Sequence, residues 1–592
     1  MTDPSLARVR AVMAAPEDID LPAGMGPGPG GAAPPPGDGA AEPPERVAAG
    51  FPLNDFGNGQ RFVTYFGDQV MWVPRLGWFT WTGKVWQKDP DRIATRRLAQ
   101  QVSGRMEVET EFLVLEDWMM AKIARKRELA DQIKAIEAGG DDPEAEAKVA
   151  DLRRQMTAIG EFEKRLGAQR ADHRRFAKST GNTGKIDALL TEGGIALAHD
   201  LDSLDAAEMD INTESGVLRF SVAGGPDQGF SRTADVQLLP HDRAQLMTKM
   251  MPVVYDPAAT CPRFDAFFEE VQPDPEMRAF ILRWLGLSMT AKPVQMLAFW
   301  YGAGANGKSV LADLVARMLD GYAATAKIKS LTGVDRRGGG DATPDLMLLI
   351  GARFVRASEP REGEPLQEEL IKELTGGEPI MVRALNSDFV EMNPYFKLTI
   401  SGNHKPVVRG TDDGIWRRLL LVPWDVQIPE GRRDKDLGEY LFRNERSGIL
   451  NRLRDGLLDY LEGGLAVPGL VRDATKEFRD ESDLVGFFLE QCCVITGDHR
   501  DSIGSRELGE AFNFWNSDRG FGEWKPKTVG MKLKEKADRW KSPVTGQRFT
   551  ARKSSTNFYD GIQFNAVFGT RWKDLPRDAQ GRVLRSRMEG GE

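Results

Sequence analysis

The chain has 592 residues, of which 28% are charged and 41% are hydrophobic, a composition typical of soluble multidomain proteins. Its formal net charge of −9 argues against a protein that coats nucleic acid with its whole surface, although a locally basic channel is compatible with that charge. The three cysteines and five histidines show no disulfide framework and no metal-ligand spacing. No stretch approaches the roughly 20 apolar residues that span a bilayer, and the N-terminus lacks the apolar core of a signal peptide. We therefore expect a cytoplasmic protein with no membrane partner.

The N-terminal part of the chain changes character several times. Residues 22–44 are rich in Pro, Gly and Ala and cannot bury enough apolar surface to fold, so residues 1–48 are predicted to form a disordered arm. Short aromatic segments separated by turn residues then predict a small antiparallel sheet, with strands at 61–66, 71–73, 78–81 and 84–86. Charged helical periodicity with a polar break predicts a helical hairpin over about 91–180. Together these segments predict an N-terminal α+β domain over 49–240.

A pair of carboxylates, Asp200 and Asp202, follows the apolar run 195–198. Such a pair after a strand could hold catalytic metals, as it does in archaeo-eukaryotic primases. A third carboxylate and a nucleotide-binding histidine are not evident at suitable spacing, so we favour a surface turn. The sequence therefore predicts no priming activity.

The sequence FWYGAGANGKSV, at 299–310, contains a complete G-x-x-x-x-G-K-[ST] phosphate loop. An apolar run precedes it and a helical pattern follows it, which is the strand–loop–helix context that such a loop requires. The glycines let backbone N–H groups face phosphates, Lys308 is predicted to reach the β- and γ-phosphates, and Ser309 is predicted to help hold Mg²⁺. The residues predicted to bind ATP are Gly302, Ala303, Gly304, Ala305, Asn306, Gly307, Lys308, Ser309 and Val310. The protein is therefore predicted to hydrolyse a nucleoside triphosphate.

Two later strands are predicted to end in polar residues. The segment 351–359 ends in Glu359, and the segment 397–403 ends in Asn403. An acid at the end of a strand next to the phosphate loop can polarise the attacking water or help hold Mg²⁺. Strands and helices alternate from 296 to 424, which predicts a parallel α/β sheet.

Five segments of this region resemble the motifs of superfamily 3 helicases, in particular the phage, plasmid and poxvirus primase-helicase branch. They follow the order and spacing of that family, and they read GAGANGKSV, RFVRASEP, IKELTGGEPIMVRAL, FKLTISGNHKPVVRGTDDGIWRR and LLLVPW. The resemblance implies a hexameric AAA+ ring with ATP bound between subunits. It is strong over about 296–424 and weaker upstream to about 51 and downstream to about 565.

The resemblance also implies roles for individual residues. Glu359 is the Walker B acid, which holds Mg²⁺ together with Ser309, and Asn403 is the polar sensor. Arg417 or Arg418 is the arginine finger that enters the neighbouring subunit's site. Ser358 stands where many Walker B motifs have an acid, which leaves open how metal binding and water activation are divided. A DNA-tracking hairpin falls within 372–393, with Lys372 and Arg383 as candidate contacts to the strand backbone.

The C-terminal region carries a local positive charge. Between 521 and 560 there are ten Lys and Arg residues against four Asp and Glu residues, in an otherwise acidic protein. This pattern is the electrostatic footprint of phosphate binding, and the region resembles a winged-helix domain with a recognition-type helix at 525–536 and wing strands at 548–550 and 561–564. The candidate DNA contacts are Lys525, Lys527, Lys532 and Lys534.

The sequence thus predicts a multidomain α/β protein. Its predicted regions after the N-terminal domain are an AAA+ ATPase domain over 241–480, a winged-helix-like domain over 481–570 and a flexible tail over 571–592. The predicted function is that of an ATP-dependent DNA helicase acting as a hexameric ring in the replication of a phage, plasmid or integrated mobile element. Its predicted partners are a single strand in the channel, a duplex or fork at the C-terminal domain, and a separate primase or other replication proteins. Three alternatives stay open: a primase-helicase with a cryptic primase, a DNA-binding loader or packaging ATPase, and a protein-remodelling AAA+ ATPase.

Overall fold

The computed structural model describes residues 42–139, 143–225, 230–333, 341–385, 388–408, 410, 413–519, 522–537, 539–554 and 556–577. Within these ranges no helix is long and apolar enough to cross a membrane. The chain divides into two compact units, Met1–Tyr65 with Leu98–Gly193, and Phe66–Arg97 with Gly194–Glu592.

The first unit consists of helices, some of which extend past its limits into the neighbouring residues. They are α1 (Pro44–Ala48), α2 (Asp55–Phe66), α3 (Ile93–Glu109), α4 (Asp117–Ala124), α5 (Lys126–Glu137), α6 (Pro143–Thr180) and α7 (Thr183–Ala196). Helices α5 and α6 form the predicted hairpin, joined by the ion pairs Lys126–Glu163 and Arg153–Glu137, the latter at 2.7 Å. Helix α1 lies inside the range predicted to be a disordered arm, and because Ala48 is buried, that prediction is wrong for the last residues of the range.

The strand predicted at 61–66 is also wrong, because these residues belong to α2. Arg61 and Tyr65 lie one helical turn apart on one face of α2. Both reach the carboxylate of Glu109 in α3, Arg61 through Nε at 3.0 Å and Tyr65 through its hydroxyl at 2.5 Å. His173 Nε2 of α6 lies 2.8 Å from the same carboxylate, and all four residues are buried. Helical spacing places Arg61 and Tyr65 where both can pair with the buried carboxylate of Glu109. The stabilisation of this buried charge outweighs the strand propensity of the aromatic sequence.

The second unit begins with two small antiparallel sheets, in the orders β1-β2-β3 and β4-β5-β6. Their strands are β1 (Val70–Val73), β2 (Gly77–Trp81), β3 (Trp86–Lys88), β4 (Asp210–Thr213), β5 (Gly216–Gly225) and β6 (Phe230–Leu239). The predicted aromatic sheet is therefore present, and both Trp78 and Trp86 are buried. Between the two sheets, the chain around Asp202 forms a short 3-10 turn, Leu201–Ser203, instead of following a strand.

Five parallel strands form the central sheet of the second unit, in the spatial order β13-β7-β12-β9-β8. The strands of this region are β7 (Leu297–Tyr301), β8 (Ala323–Ala326), β9 (Phe354–Ala357), β10 (Ile380–Val382), β11 (Val390–Met392), β12 (Lys397–Gly402) and β13 (Leu419–Pro423). Its helices are α8 (Pro262–Val271), α9 (Pro275–Leu287), α10 (Lys308–Leu319), α11 (Ile328–Leu331), α12 (Pro344–Met347), α13 (Glu368–Leu374), α14 (Asp413–Trp416), α15 (Leu437–Asn444), α16 (Arg446–Gly463) and α17 (Gly469–Ser482). Because the strands are parallel, their carboxyl ends share one edge, where polar side chains meet.

The C-terminal part of the second unit has its own core, which includes Phe488, Phe512 and Trp515. Its elements are α18 (Leu484–Cys492), β14 (Cys493–Ile495), β15 (Ser502–Gly504), α19 (Ser505–Asp518), α20 (Pro526–Lys536), β16 (Thr550–Lys553), β17 (Asn557–Asp560), β18 (Ile562–Phe564) and α21 (Ala566–Lys573). The predicted recognition-type helix matches α20. The predicted wing strands are displaced, because β16 pairs with β17 in the antiparallel sheet β15-β17-β16, whereas β18 pairs with β14. The domain limits predicted at 481 and 571 fall inside α17 and α21, so these helices run through both limits.

Candidate nucleotide-binding site

The loop between β7 and α10 requires glycine at both ends. A Cβ atom on Gly302 would lie 2.1 Å from the carbonyl oxygen of Trp424, so only glycine allows this approach. Gly307 has a left-handed φ of 82°, and a Cβ atom there would meet the Phe267 ring at 2.9 Å. Asn306 Nδ2 donates to the same Trp424 carbonyl oxygen at 3.0 Å. Contacts on two sides therefore fix the shape of the loop.

Lys308 is the first residue of α10, and its side chain turns back into the loop. The residue is only 4% exposed, and Nζ donates to the carbonyl oxygens of Gly302 at 2.5 Å and Ala303 at 3.3 Å. Burial lowers the pKa of Lys308 to about 8, while the carboxylate of Glu359 acts in the opposite direction. Ser309, the next residue, is exposed. A buried ammonium group held by carbonyl oxygens at a helix N-terminus fits the binding of phosphate.

Glu359 and Asn403 meet at the edge of the sheet where β9 and β12 end. Asn403 donates its backbone N–H to Glu359 Oε1 at 2.7 Å and its side-chain amide to Oε2 at 3.1 Å. Both residues are exposed, as is Ser358. In the sheet β12 lies between β7 and β9, with Gly402 opposite Tyr301, so the phosphate loop and these two strand ends lie together at one edge.

The two adjacent arginines that precede β13 have different environments. Arg417 is exposed, whereas Arg418 is 8% exposed and donates from Nη1 to the carbonyl oxygen of Gly414 at 2.7 Å. The Arg418 carbonyl oxygen also accepts from the N–H of Leu297 at the start of β7. Arg418 therefore anchors β7 to the end of α14, and Arg417 points to solvent.

An open pocket of about 370 Å³ borders the phosphate loop on the side of α8 and α15. Its apolar lining includes Phe267, Val310, Ile428 and Leu437. Charged residues line its rim and form the ion pairs Arg263–Asp434 and Arg432–Glu270. Sequence reasoning missed these residues, because no motif marks them and they come from segments more than 100 positions apart. The N–H of Ile428 donates to Ala305 at 2.8 Å and so ties the pocket to the loop.

The two predicted strand contacts of the ATPase core lie on different elements. Arg383 follows β10 in the β10–β11 hairpin, and its guanidinium lies 4.9 Å from the ring centroid of Phe389. Met381, in the same hairpin, is 56% exposed. Lys372 lies in α13 and pairs with Glu369 at 3.2 Å, so it does not belong to the hairpin.

The basic residues at α20 differ in their exposure to solvent. Lys525, Lys527 and Lys534 are exposed. Lys532 is half-buried and pairs with Glu535 at 3.2 Å. Helix α20 and its N-cap residue Lys525 therefore present at least three cationic side chains to solvent.

Comparison with known proteins gives two family matches. A family model described as D5 N terminal like matches residues 59–273, and a family of unknown function (DUF5906) matches residues 300–418. "Putative helicase L207/L206" of Acanthamoeba polyphaga mimivirus is 27% identical over 274 residues, which are 43% of this chain and 28% of that protein. "Putative helicase 022R" of Frog virus 3 (isolate Goorha) is 28% identical over 270 residues, 43% of this chain and 27% of that protein. "Putative primase C962R" of African swine fever virus (isolate Warthog/Namibia/Wart80/1980) is 27% identical over 153 residues, 26% of this chain and 16% of that protein.

The chain thus spans less than a third of the length of the curated relatives it matches. A solved structure described as the A form apo structure of the NrS-1 C terminal region aligns over 46% of this chain and 58% of that chain, with 13% identity and a TM-score of 0.31, a likeness too low to support an argument. The family and sequence matches confirm the resemblance of this chain to viral and phage primase-helicases of the superfamily 3 type.

Proposed function

We propose that the chain is an ATP-dependent DNA helicase that works as a ring, with a hexamer as the expected state, in the replication of a phage, plasmid or integrated mobile element. The observation that carries the proposal is the meeting of the phosphate loop, Glu359 and Asn403 at one edge of a parallel sheet. The relatives named as helicases supply the substrate class, since a phosphate loop alone does not specify DNA.

In this proposal the phosphate loop binds the triphosphate of ATP. Lys308 moves its ammonium group from the loop carbonyl oxygens to the β- and γ-phosphates, and the backbone N–H groups of the loop surround the phosphates. The Ser309 hydroxyl and the Glu359 carboxylate would hold Mg²⁺, which neutralises phosphate charge when it is bound.

Hydrolysis requires a water molecule aligned with the γ-phosphate. The Glu359 carboxylate orients and polarises that water, and Asn403 holds the carboxylate and contacts the γ-phosphate or the water. Arg417 is the better candidate for the arginine finger of the pair, because it is exposed and free to enter a neighbouring subunit, whereas Arg418 is buried. A guanidinium group stabilises the charge that spreads over the phosphoryl oxygens in the transition state.

The pocket beside the loop suits the nucleotide base. Its apolar walls, which include Phe267 and Ile428, can cover the base faces, and its volume of about 370 Å³ lies within the usual range for small-ligand pockets. The ion pairs at its rim bring Glu270 and Asp434 within reach of base edges.

DNA is proposed to contact two surfaces. The β10–β11 hairpin, with Arg383 and the exposed Met381, would track a single strand in the ring channel. Helix α20 and the β16–β17 pair would bind duplex or fork as a winged helix, with Lys525, Lys527 and Lys534 facing phosphates.

A primase-helicase is the second candidate function, because a relative named as a primase matches part of the chain. Asp200 and Asp202 are the only candidate metal-binding pair that sequence reasoning found for it. If the purified protein makes oligoribonucleotides on a single-stranded template, and an Asp200→Ala/Asp202→Ala variant does not, the primase-helicase is correct.

The first test of the proposed function is ATP turnover with and without single-stranded DNA, in the parent protein and in Lys308→Ala. We expect DNA to stimulate turnover in the parent, and Lys308→Ala to show no turnover in either condition. Turnover that is indifferent to DNA would contradict the helicase and favour the protein-remodelling alternative.

A further inference from the structure

The last turn of α17 touches two catalytic segments of the proposed site at once. Its relevant side chains are Phe478, Arg479 and Glu481, and the helix is fixed to the sheet by a hydrogen bond from the N–H of Leu421 in β13 to Thr475 Oγ1 at 3.0 Å. Phe478 is 4% exposed and belongs to the core of the ATPase sheet. The turn is therefore packed against the sheet and bonded to it.

On one side, this turn holds the segment that follows Asn403. Lys405 pairs with Glu481 at 2.8 Å, and its ammonium group lies 5.7 Å from the ring centroid of Phe478. The same ammonium group lies 5.6 Å from the ring of Tyr301, the residue before the phosphate loop. Cation–π contacts and an ion pair thus fix the chain two residues beyond the proposed sensor.

On the other side, the turn holds α14, the four-residue helix that ends immediately before Arg417. Trp416 packs edge-on against Phe478, with ring centroids 5.3 Å apart, and is 6% exposed. Arg479 Nη2 pairs with Asp413 Oδ1 at 2.6 Å, and the Arg417 N–H donates to the Asp413 carbonyl oxygen. Both ends of α14 are therefore attached to α17.

The same turn continues into the C-terminal core. Asp483 follows α17, caps α18 by accepting from the N–H of Gly486 at 3.0 Å, and pairs with Lys536 at the end of α20. The side chains of Asp483 and Lys536 are 22% and 12% exposed, so their pairing is better shielded from water than a surface ion pair. A cavity of about 190 Å³, lined by Trp416, Arg479, Asp483 and Lys536 among others, marks where these elements meet.

We propose that the last turn of α17 positions the sensor segment and the arginine-finger helix together, and that the Lys536–Asp483 pair couples this turn to DNA bound at α20. Arg479 and Glu481 are positioning residues, because they act through Asp413 and Lys405. DNA that shifts α20 then shifts both catalytic segments in one step. This inference rests on the proposed function, since it assumes that Asn403 and Arg417 serve ATP hydrolysis.

The positioning role is tested by ATP turnover of Arg479→Gln and Glu481→Gln in the full chain. Because neither side chain touches the triphosphate site, we expect kcat to fall by about tenfold, the usual size of a coupling between sites, with KM for ATP unchanged. Arg479→Lys should recover most of the loss, since it keeps the positive charge. The matched control is Arg472→Gln, on the same helix, whose guanidinium donates to Val467 instead. A kcat equal to that of the control, or a loss confined to melting temperature, would overturn the positioning role.

The coupling is tested by Lys536→Met and Lys536→Arg at saturating forked duplex DNA, the DNA proposed to bind α20, so that weaker DNA binding does not enter. We expect Lys536→Met to lose about tenfold of the DNA stimulation with unchanged turnover in the absence of DNA, and Lys536→Arg to retain it. Arg571→Met is the control, because the Arg571–Asp518 pair at 2.7 Å joins α21 to α19 at the surface of the C-terminal part and does not involve α17. Full stimulation of Lys536→Met overturns the coupling while the proposed function stands. A parent protein without DNA-stimulated turnover would overturn both.

Discussion

Asn403 places both its backbone N–H and its side-chain amide on the carboxylate of Glu359, at 2.7 and 3.1 Å. The two residues lie 44 positions apart and come from neighbouring parallel strands, so the pairing is a product of the sheet. In the proposed site this pairing orients the carboxylate that activates water. Asn403 therefore positions Glu359 before ATP binds.

Replacement of Asn403 by alanine removes the side-chain donor to Glu359 and the contact proposed for the γ-phosphate. We expect kcat for ATP hydrolysis to fall about a hundredfold, the usual cost of losing one preorganised donor, with little change in the affinity for ATP. Steady-state turnover together with equilibrium nucleotide binding measures both. His404→Ala is the control, because His404 is the next residue and is exposed. Parental kcat in Asn403→Ala would remove the residue from the site.

Alanine variants of the two arginines before β13 should have different effects, one on ATP turnover and the other on stability. Arg417→Ala removes an exposed side chain, so it should fold normally and lose about a thousandfold of ATP turnover if Arg417 is the finger. Arg418→Ala removes the hydrogen bond to Gly414, so it should lower the melting temperature. A mixture of Arg417→Ala with Lys308→Ala should regain turnover, because intact fingers then meet intact loops across interfaces. No recovery in the mixture would argue against a site shared between subunits.

The affinity for ATP should depend on the protonation of Lys308, whose pKa is lowered to about 8 by burial. Only the protonated ammonium group attracts phosphate, so affinity falls as the pH rises through that value. Between about pH 7 and about pH 9.5 we expect a loss of up to about tenfold per pH unit above the pKa, measured by equilibrium binding of ATP. Lys308→Ala should bind weakly and lack this dependence. Equal affinity of the parent protein at both pH values would mean that the ammonium group does not contact the triphosphate.

Binding of duplex DNA should become less sensitive to salt when the exposed lysines of α20 and its N-cap are removed. The variant Lys525→Ala/Lys527→Ala/Lys534→Ala should reduce the slope of log affinity against log salt by about one unit for each phosphate that the variant no longer neutralises. Lys532→Ala should change the slope less, because Lys532 already pairs with Glu535. An unchanged slope in the triple variant would place duplex binding elsewhere.

Sequence alone located the residues of the proposed triphosphate site, because each of its parts is a local segment. The phosphate loop is a continuous segment, and Glu359 and Asn403 directly follow apolar strands that a parallel sheet aligns at one edge. The structure brings all of these residues together, while their roles stay predictions.

Other features depend on contacts between distant segments, which a local sequence pattern does not predict. The aromatic sequence at 61–66 favours a strand by composition, but a buried carboxylate from α3 selects a helix. Arg417 and Arg418 are indistinguishable in sequence, and only burial separates them. The pocket beside the loop joins residues of α8 with residues that follow β13, and the turn of α17 joins three segments, so neither could be predicted from spacing.

Strand separation of a forked DNA duplex is the measurement that most directly tests an ATP-driven helicase. The parent protein should separate the strands only when ATP is hydrolysed, while Lys308→Ala and Glu359→Gln should bind the fork and leave it paired. Glu359→Gln should still bind ATP, because it keeps the phosphate loop and loses only the carboxylate that activates water. If the parent protein instead hydrolyses ATP on the fork and the strands stay paired, the helicase function is contradicted and a loader or packaging ATPase takes its place.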